Sequence, residues 1–183
     1  CEVKQMIVAV PFLAAGETAQ ALVTYEITRR SLLPPENTDI FTIPKKLSLT
    51  ERRNLGHSPQ IESRHGEIRD RASSLLAEHE SANAWEKVKV LHDWIRENND
   101  EQRGRFKGAV QTLRDGHGNE EDLTSLFIAL CRASDIPART VWIPDACYAE
   151  FLLADDEGEN HWLPCRLTGD DKFGSVKTNL SIL

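Results

Sequence analysis

Residues 116–139 read GHGNEEDLTSLFIALCRASDIPAR, and this stretch decides the fold. Asp115-Gly116 breaks whatever precedes it. Asn119 is placed as a helix N-cap, with Asp122 three positions on as a short-armed partner in a capping box. Leu123, Leu126, Phe127, Leu130 and Cys131 then recur at helical spacing and give the helix one apolar stripe. Asp135 falls where the chain must turn out of the helix, and aspartate tolerates left-handed backbone better than most residues. Pro137 disfavours further helix, so Arg139 to Ile143 reads as a strand. The sequence therefore predicts an acidic helix start, a buried helix body and a tight exit into a sheet.

The segments around it extend the same pattern. Downstream, Tyr148 to Leu153 and His161 to Leu167 read as strands, separated by an acidic turn at Asp155 to Asn160. The tail from Gly169 is turn-rich. Upstream, Asn83 caps a predicted helix through Trp85, Val88, Val90, Leu91, Trp94 and Ile95. His92 on that helix reads as a packing or surface residue. An earlier helix is predicted from Ile61 to about Glu80, on a stripe of Ile61, Ile68, Ala72, Leu75 and Leu76. Val110 and Leu113 are read as a short turn. Val3 to Phe12 and Ala19 to Arg29 read as strands, the second with Ala21, Val23, Tyr25 and Ile27 on one face. Ile40 to Ile43 is a further extended piece. The expected class is α+β: a central helix packed against an antiparallel sheet, plus N-terminal strands. A β extension over 1–55 is expected to pack on a core domain over 56–183.

Composition bounds the function. A chain of 183 residues can build one domain with a sizeable core. The net charge of −7 repels phosphate backbones, so nucleic acid is not an expected partner. No apolar run reaches the 18 or more residues of a membrane span. Four cysteines are too sparse for a disulfide scaffold. Cys131 reads as a small buried hydrophobe, while Cys147 and Cys165 could pair. The chain opens on Cys1, which fits either a lipid-anchor position or an arbitrary cut. The expectation is a soluble piece, exported or part of a larger exported protein. An oligomeric state is not legible.

The opening stretch resembles the nucleophile helix of the transglutaminase-like superfamily of papain-like thiol enzymes. Those proteins carry Gly-x-Cys-x-Asp followed by an apolar helix and Arg-Ala-x-Gly-Ile-Pro-Ala-Arg. Asp122, Leu123 and Thr124 match the residues after the nucleophile, and Arg132, Ala133, Ile136, Pro137, Ala138 and Arg139 match the end. Residues 85–100, WEKVKVLHDWIRENND, resemble the helix that precedes it. The resemblance covers nearly all of 58–166 and implies a papain-like core. It also implies thiol acyl transfer by a cysteine, a histidine and an aspartate.

The three catalytic positions of that pattern hold other residues here. Glu120 stands at the nucleophile. The histidine motif His-x-Trp-x-Glu matches Ala146 to Glu150, with Ala146 at the histidine and Tyr148 at the tryptophan. The aspartate motif matches Trp162 and Pro164 and puts Arg166 at the aspartate. A slip in register would offer Asp170 or Asp171. A carboxylate in the first turn stabilises a helix by about 0.3–1 kcal/mol, which explains Glu120 without catalysis. Glu120 and Arg166 could face one another and lock the groove.

These substitutions lead to the expectation of a catalytically inactive transglutaminase-like module with a binding or structural role. A protein, peptide or glycan would occupy the former cleft. Its candidate groove residues are His117, Asp122, Trp142, Tyr148, His161 and Trp162. No cofactor is expected. His161, Cys165 and Cys147 supply zinc-type ligands, but their spacing matches no recognised pattern, and no metal is expected. The alternative is a thiol-dependent hydrolase or acyltransferase of protease or amidase type. It would use Cys147 or Cys165 as nucleophile and His161 or His117 as base. A carboxylate hydrolase using Glu120 and Asp122 is disfavoured, because residues two apart on a helix point about 200° apart.

Overall fold

A computed structural model describes residues 7–22, 31–143 and 146–177. The described residues form five α-helices: α1 (Leu49–Arg52), α2 (Gly66–Leu76), α3 (Ala84–Asn98), α4 (Ala109–Asp115) and α5 (Glu120–Ala133). Between them lie β1 (Asp100–Glu101) and β2 (His117–Gly118), which pair in parallel. After α5 come β3 (Ala138–Ile143), β4 (Ala146–Ala154) and β5 (Asn160–Cys165). These last three form an antiparallel sheet with β4 in the middle. The α+β class is as the sequence reading had it.

The central helix α5 is buried from Asp122 through Cys131 without a break. A helix apolar on one stripe needs one packing partner; one buried all round needs several. Here α2, α3 and α4 pack on it from one side and β3 and β4 from the other. Its start is the expected capping box. Asn119 Oδ1 accepts from the Asp122 N–H at 2.8 Å, and Asp122 Oδ2 accepts from the Asn119 N–H at 3.1 Å. Its exit turns on Asp135, at φ 61°, in the left-handed region.

Phe151 of β4 ties helices to sheet. Phe173 stacks on it at 5.5 Å, Trp85 of α3 lies 5.9 Å away and Phe127 of α5 meets it edge-on at 6.3 Å. Ile68, Val88, Leu91, Ile95, Leu126, Ile128 and Leu130 are fully buried around this cluster. Arg132 then clips the 56–58 loop to the far end of α5: it donates to Gly56 O at 2.7 Å, Ser58 Oγ at 3.0 Å and Ala138 O at 3.0 Å.

Several boundaries differ from expectation. The helix predicted from Ile61 begins at Gly66, because Ile61 is held in a bridge with Ser58. It also ends at Leu76, passing into a 3₁₀ turn at Ala77–His79. The turn predicted at Val110 and Leu113 is the two-turn helix α4, closed by Gly116 at φ 69°. Residues 7–22 hold no strand, and the rest of the two N-terminal strand predictions (3–6 and 23–29) lies outside the described residues. The N-terminal region joins the core through the bridges Thr42 to Ala154 and Leu32 to Val176 and through Phe41, which is buried and stacks on Trp85 at 6.1 Å. Among the described residues no helix is long and apolar enough to cross a membrane.

Candidate active site

The first turn of α5 and the start of β4 meet at a groove. One lobe, of about 410 Å³, is lined by Asn119, Glu120, Glu121, Trp142, Ile143, Ala146 and Cys147. A second, of about 250 Å³, is lined by Pro59, Ile61, Phe106, Ser125 and Thr140 among others. Glu121, Trp142 and Cys147 line both lobes and therefore mark their junction.

Glu120 is the electrostatic centre. Its Oε1 accepts from Arg166 Nε at 2.9 Å, Arg166 Nη2 at 2.8 Å and the Thr168 hydroxyl at 2.9 Å. Among the described residues its Oε2 accepts from the Cys147 N–H alone, at 3.3 Å. Asp171 stands behind the guanidinium, 3.8 Å from Arg166 Nη1. Glu120 and Arg166, which the resemblance led us to expect at the nucleophile and aspartate positions, thus form an ion pair.

Cys147 forms the groove floor. It is 1% exposed, and its thiol donates to Thr124 Oγ1 at 3.7 Å. Burial pushes its pKa up to about 11, and the Glu120 and Glu121 carboxylates add to that rise. Alternation along a regular strand would put Ala146 and Cys147 on opposite faces. Both line the groove, because Ala146 is the first residue of β4, where the pleat is not yet enforced by pairing on both sides.

Most of the other predicted groove residues lie elsewhere. Asp122 is 1% exposed behind the helix start, where its Oδ1 accepts from the Lys107 and Gly108 N–H groups at 2.8 and 3.0 Å. It does not pair with Arg139, which pairs with Glu150 at 2.6 Å. His117 sits on β2, its Nδ1 3.3 Å from Lys107 Nζ. Tyr148 is buried, one residue along from Cys147 and so on the other face of β4. His161 pairs with Leu153, six residues from Cys147 along β4, roughly 20 Å at the usual rise. It is bonded instead to Asp155 at 2.6 Å. Trp162 lies near it in a different cavity. Trp142 alone of the six is a groove residue, 64% exposed.

The two relocated pairs of the alternative reading do not assemble as drawn. Cys165 is wholly buried opposite Ala149, and burial raises its thiol pKa well above the ordinary value. The three zinc-type residues Cys147, Cys165 and His161 are therefore spread along the sheet. Among the described residues the close group of ligand atoms is a different one, Asp155, Glu159 and His161, within 4.8 Å of one another at the β4–β5 turn. The contribution of Glu121 escaped the sequence reading. Its position beside Glu120 in the first helical turn was the available signal.

Residues 69–168 match the transglutaminase-like superfamily model. The chain belongs to that superfamily. Among solved structures, a protein described as a "putative cysteine protease" from Cytophaga hutchinsonii superposes with a TM-score of 0.56 at 24% identity, over 76% of this chain and 50% of its own. A looser match is a "putative protease" from Parabacteroides distasonis, with a TM-score of 0.43 at 16% identity, over 73% of this chain and 30% of that one. This chain thus spans half or less of either protein. No curated protein matches it.

The expectation of a catalytically inactive, non-enzymatic module is corrected by these comparisons. The solved protein that shares the fold over 76% of this chain, at a TM-score of 0.56, is described as a "putative cysteine protease". Glu120, Ala146 and Arg166 were matched to the catalytic positions by resemblance alone, and an absence of enzyme activity does not follow from that match. The groove retains a thiol.

Proposed function

We propose that the chain is the catalytic core of a thiol-dependent hydrolase of protease or amidase type, with Cys147 as nucleophile. The observation that carries this is the place of Cys147: it lies at the junction of both groove lobes, with the Glu120 carboxylate on its own backbone N–H. Among the described residues no histidine lines the groove. The proton acceptor is then Glu120 Oε2, which carries one long hydrogen bond while Oε1 carries three.

The thiol is protonated at rest at neutral pH, given a pKa of about 11. Attack must therefore be coupled to proton transfer. The S–H proton passes to Glu120, the sulfur bonds to the substrate carbonyl carbon, and the amide C–N bond breaks as the amine leaves with that proton. Water then cleaves the thioester, releasing the acid and restoring the thiol. The first-turn N–H groups of α5 not used within the helix are the donors for the developing oxyanion. Arg166 and Thr168 hold the acceptor carboxylate in place.

The test is release of aminomethylcoumarin from short peptide amides. Cys147→Ala should abolish turnover, and Glu120→Gln should lower kcat with a weaker effect on KM. Turnover by Cys147→Ala at the wild-type rate would remove the proposal.

A further inference from the structure

The groove carries a second recognisable chemistry. Glu121 faces it beside the thiol, close enough for its charge to raise the Cys147 pKa. Unlike Glu120, it has no cationic partner among the described residues. Trp142, on the same junction, presents a largely exposed indole. A lone carboxylate and an open indole on either side of one groove make an incomplete set.

The same sheet shows what completes it. Arg139, three residues before Trp142 on β3, lies with its guanidinium 4.0 Å over the Trp162 ring and its Nη2 2.6 Å from Glu150. There the indole supplies a π face and the carboxylate a charge-assisted hydrogen bond, and one arginine satisfies both. Glu121 and Trp142 repeat the carboxylate and the indole without the arginine.

We propose that the groove binds the arginine side chain of a peptide, with the guanidinium stacked on Trp142 and hydrogen-bonded to Glu121. This deepens the hydrolase reading by naming its substrate class, and it rests on that reading for catalysis but not for binding. The Glu121 carboxylate, without a cation of its own among the described residues, disfavours acidic side chains in the groove. The smaller lobe, walled by Pro59, Ile61 and Phe106, takes an apolar neighbour of the arginine. Guanidinium is favoured over ammonium because it is planar, stacks on indole and is more weakly hydrated.

The experiment uses fluorescein-labelled hexapeptides identical except for Arg, Lys or Glu at one position next to a leucine. Binding is read by anisotropy with Cys147→Ser, so that turnover does not interfere, and again with the wild-type chain at 4 °C. The Arg peptide should bind about tenfold tighter than the Glu peptide, and Glu121→Gln or Trp142→Ala should each remove most of that difference. Both side chains face the groove without a hydrogen bond or ion pair to the rest of the described protein, so these variants test recognition and not folding. Equal binding of Arg and Glu peptides, or an Arg preference untouched by Glu121→Gln, would overturn the assignment. Lysine binding as tightly as arginine would overturn the guanidinium part. Arg-selective binding without any hydrolysis by the wild type would leave this inference standing and remove the catalytic one. Hydrolysis through Cys147 with no arginine preference would do the reverse.

Discussion

Glu120→Ala is the most informative single change for stability. The carboxylate is 17% exposed and accepts four hydrogen bonds, two of them from the Arg166 guanidinium, itself 23% exposed. Truncation leaves Arg166 with Asp171 alone, at 3.8 Å, and leaves the buried Thr168 hydroxyl and the Cys147 N–H without this acceptor. Breaking a fully buried pair from one side costs about 3–5 kcal/mol, and solvent access to both partners reduces that here to about 2–4 kcal/mol. Removing Arg166 as well relieves the uncompensated cation. Glu120→Ala with Arg166→Met should therefore cost about 1–2 kcal/mol less than the sum of the single changes. Urea unfolding followed by tryptophan fluorescence gives the four free energies, read from midpoints at constant m. A Glu120→Ala loss under about 0.5 kcal/mol, or strict additivity in the cycle, would refute the ion pair as a structural element.

Other predictions follow from neighbouring groups. In a Cys1→Ser background, iodoacetamide should label Cys147 slowly at neutral pH, with the rate still climbing at pH 10. A pKa near 11 leaves it roughly 300-fold less thiolate than a free cysteine; labelling that plateaus near pH 8.5 would contradict its burial. Asp122→Ala strips the acceptor from three backbone N–H groups, of Lys107, Gly108 and Asn119, and should cost about 3 kcal/mol in the same unfolding assay. Gly118→Ala would place its Cβ 2.5 Å from Asp122 Cβ and should destabilise by about 1–3 kcal/mol; a neutral outcome would show that the loop relaxes freely. His92 is buried, and burial pulls its pKa down against the pull of Asp93 and the Arg166 carbonyl. Below about pH 6.5 the unfolded chain takes up a proton that the folded one resists, so stability should fall with pH through that window, and less so in His92→Gln.

The sequence by itself determined the helix start at Asn119, the left-handed exit at Asp135 and the three strands after Pro137. Those signals are local: a cap reads three residues ahead, and a strand repeats every second residue. By resemblance it also suggested which residues stand at the family's catalytic positions: Glu120, Ala146 and Arg166. Only the tertiary structure decided what they face. Glu120 meets Arg166 across 46 residues of chain and Thr168 across 48, and no periodicity encodes such pairs. Cys147 was legible only as one of two candidate thiols, and its place beside Glu120 and Thr124 was set by the packing of α5 on β4. His161 and Trp162 were drawn into the groove by residue type, whereas the β4–β5 register carries them to the other end of the sheet. Sequence specifies short-range backbone geometry through sterics and capping. The site depends on which helix end meets which strand end, and that is fixed when α5, with its long buried run, finds enough apolar surface on the helices and the sheet to cover it.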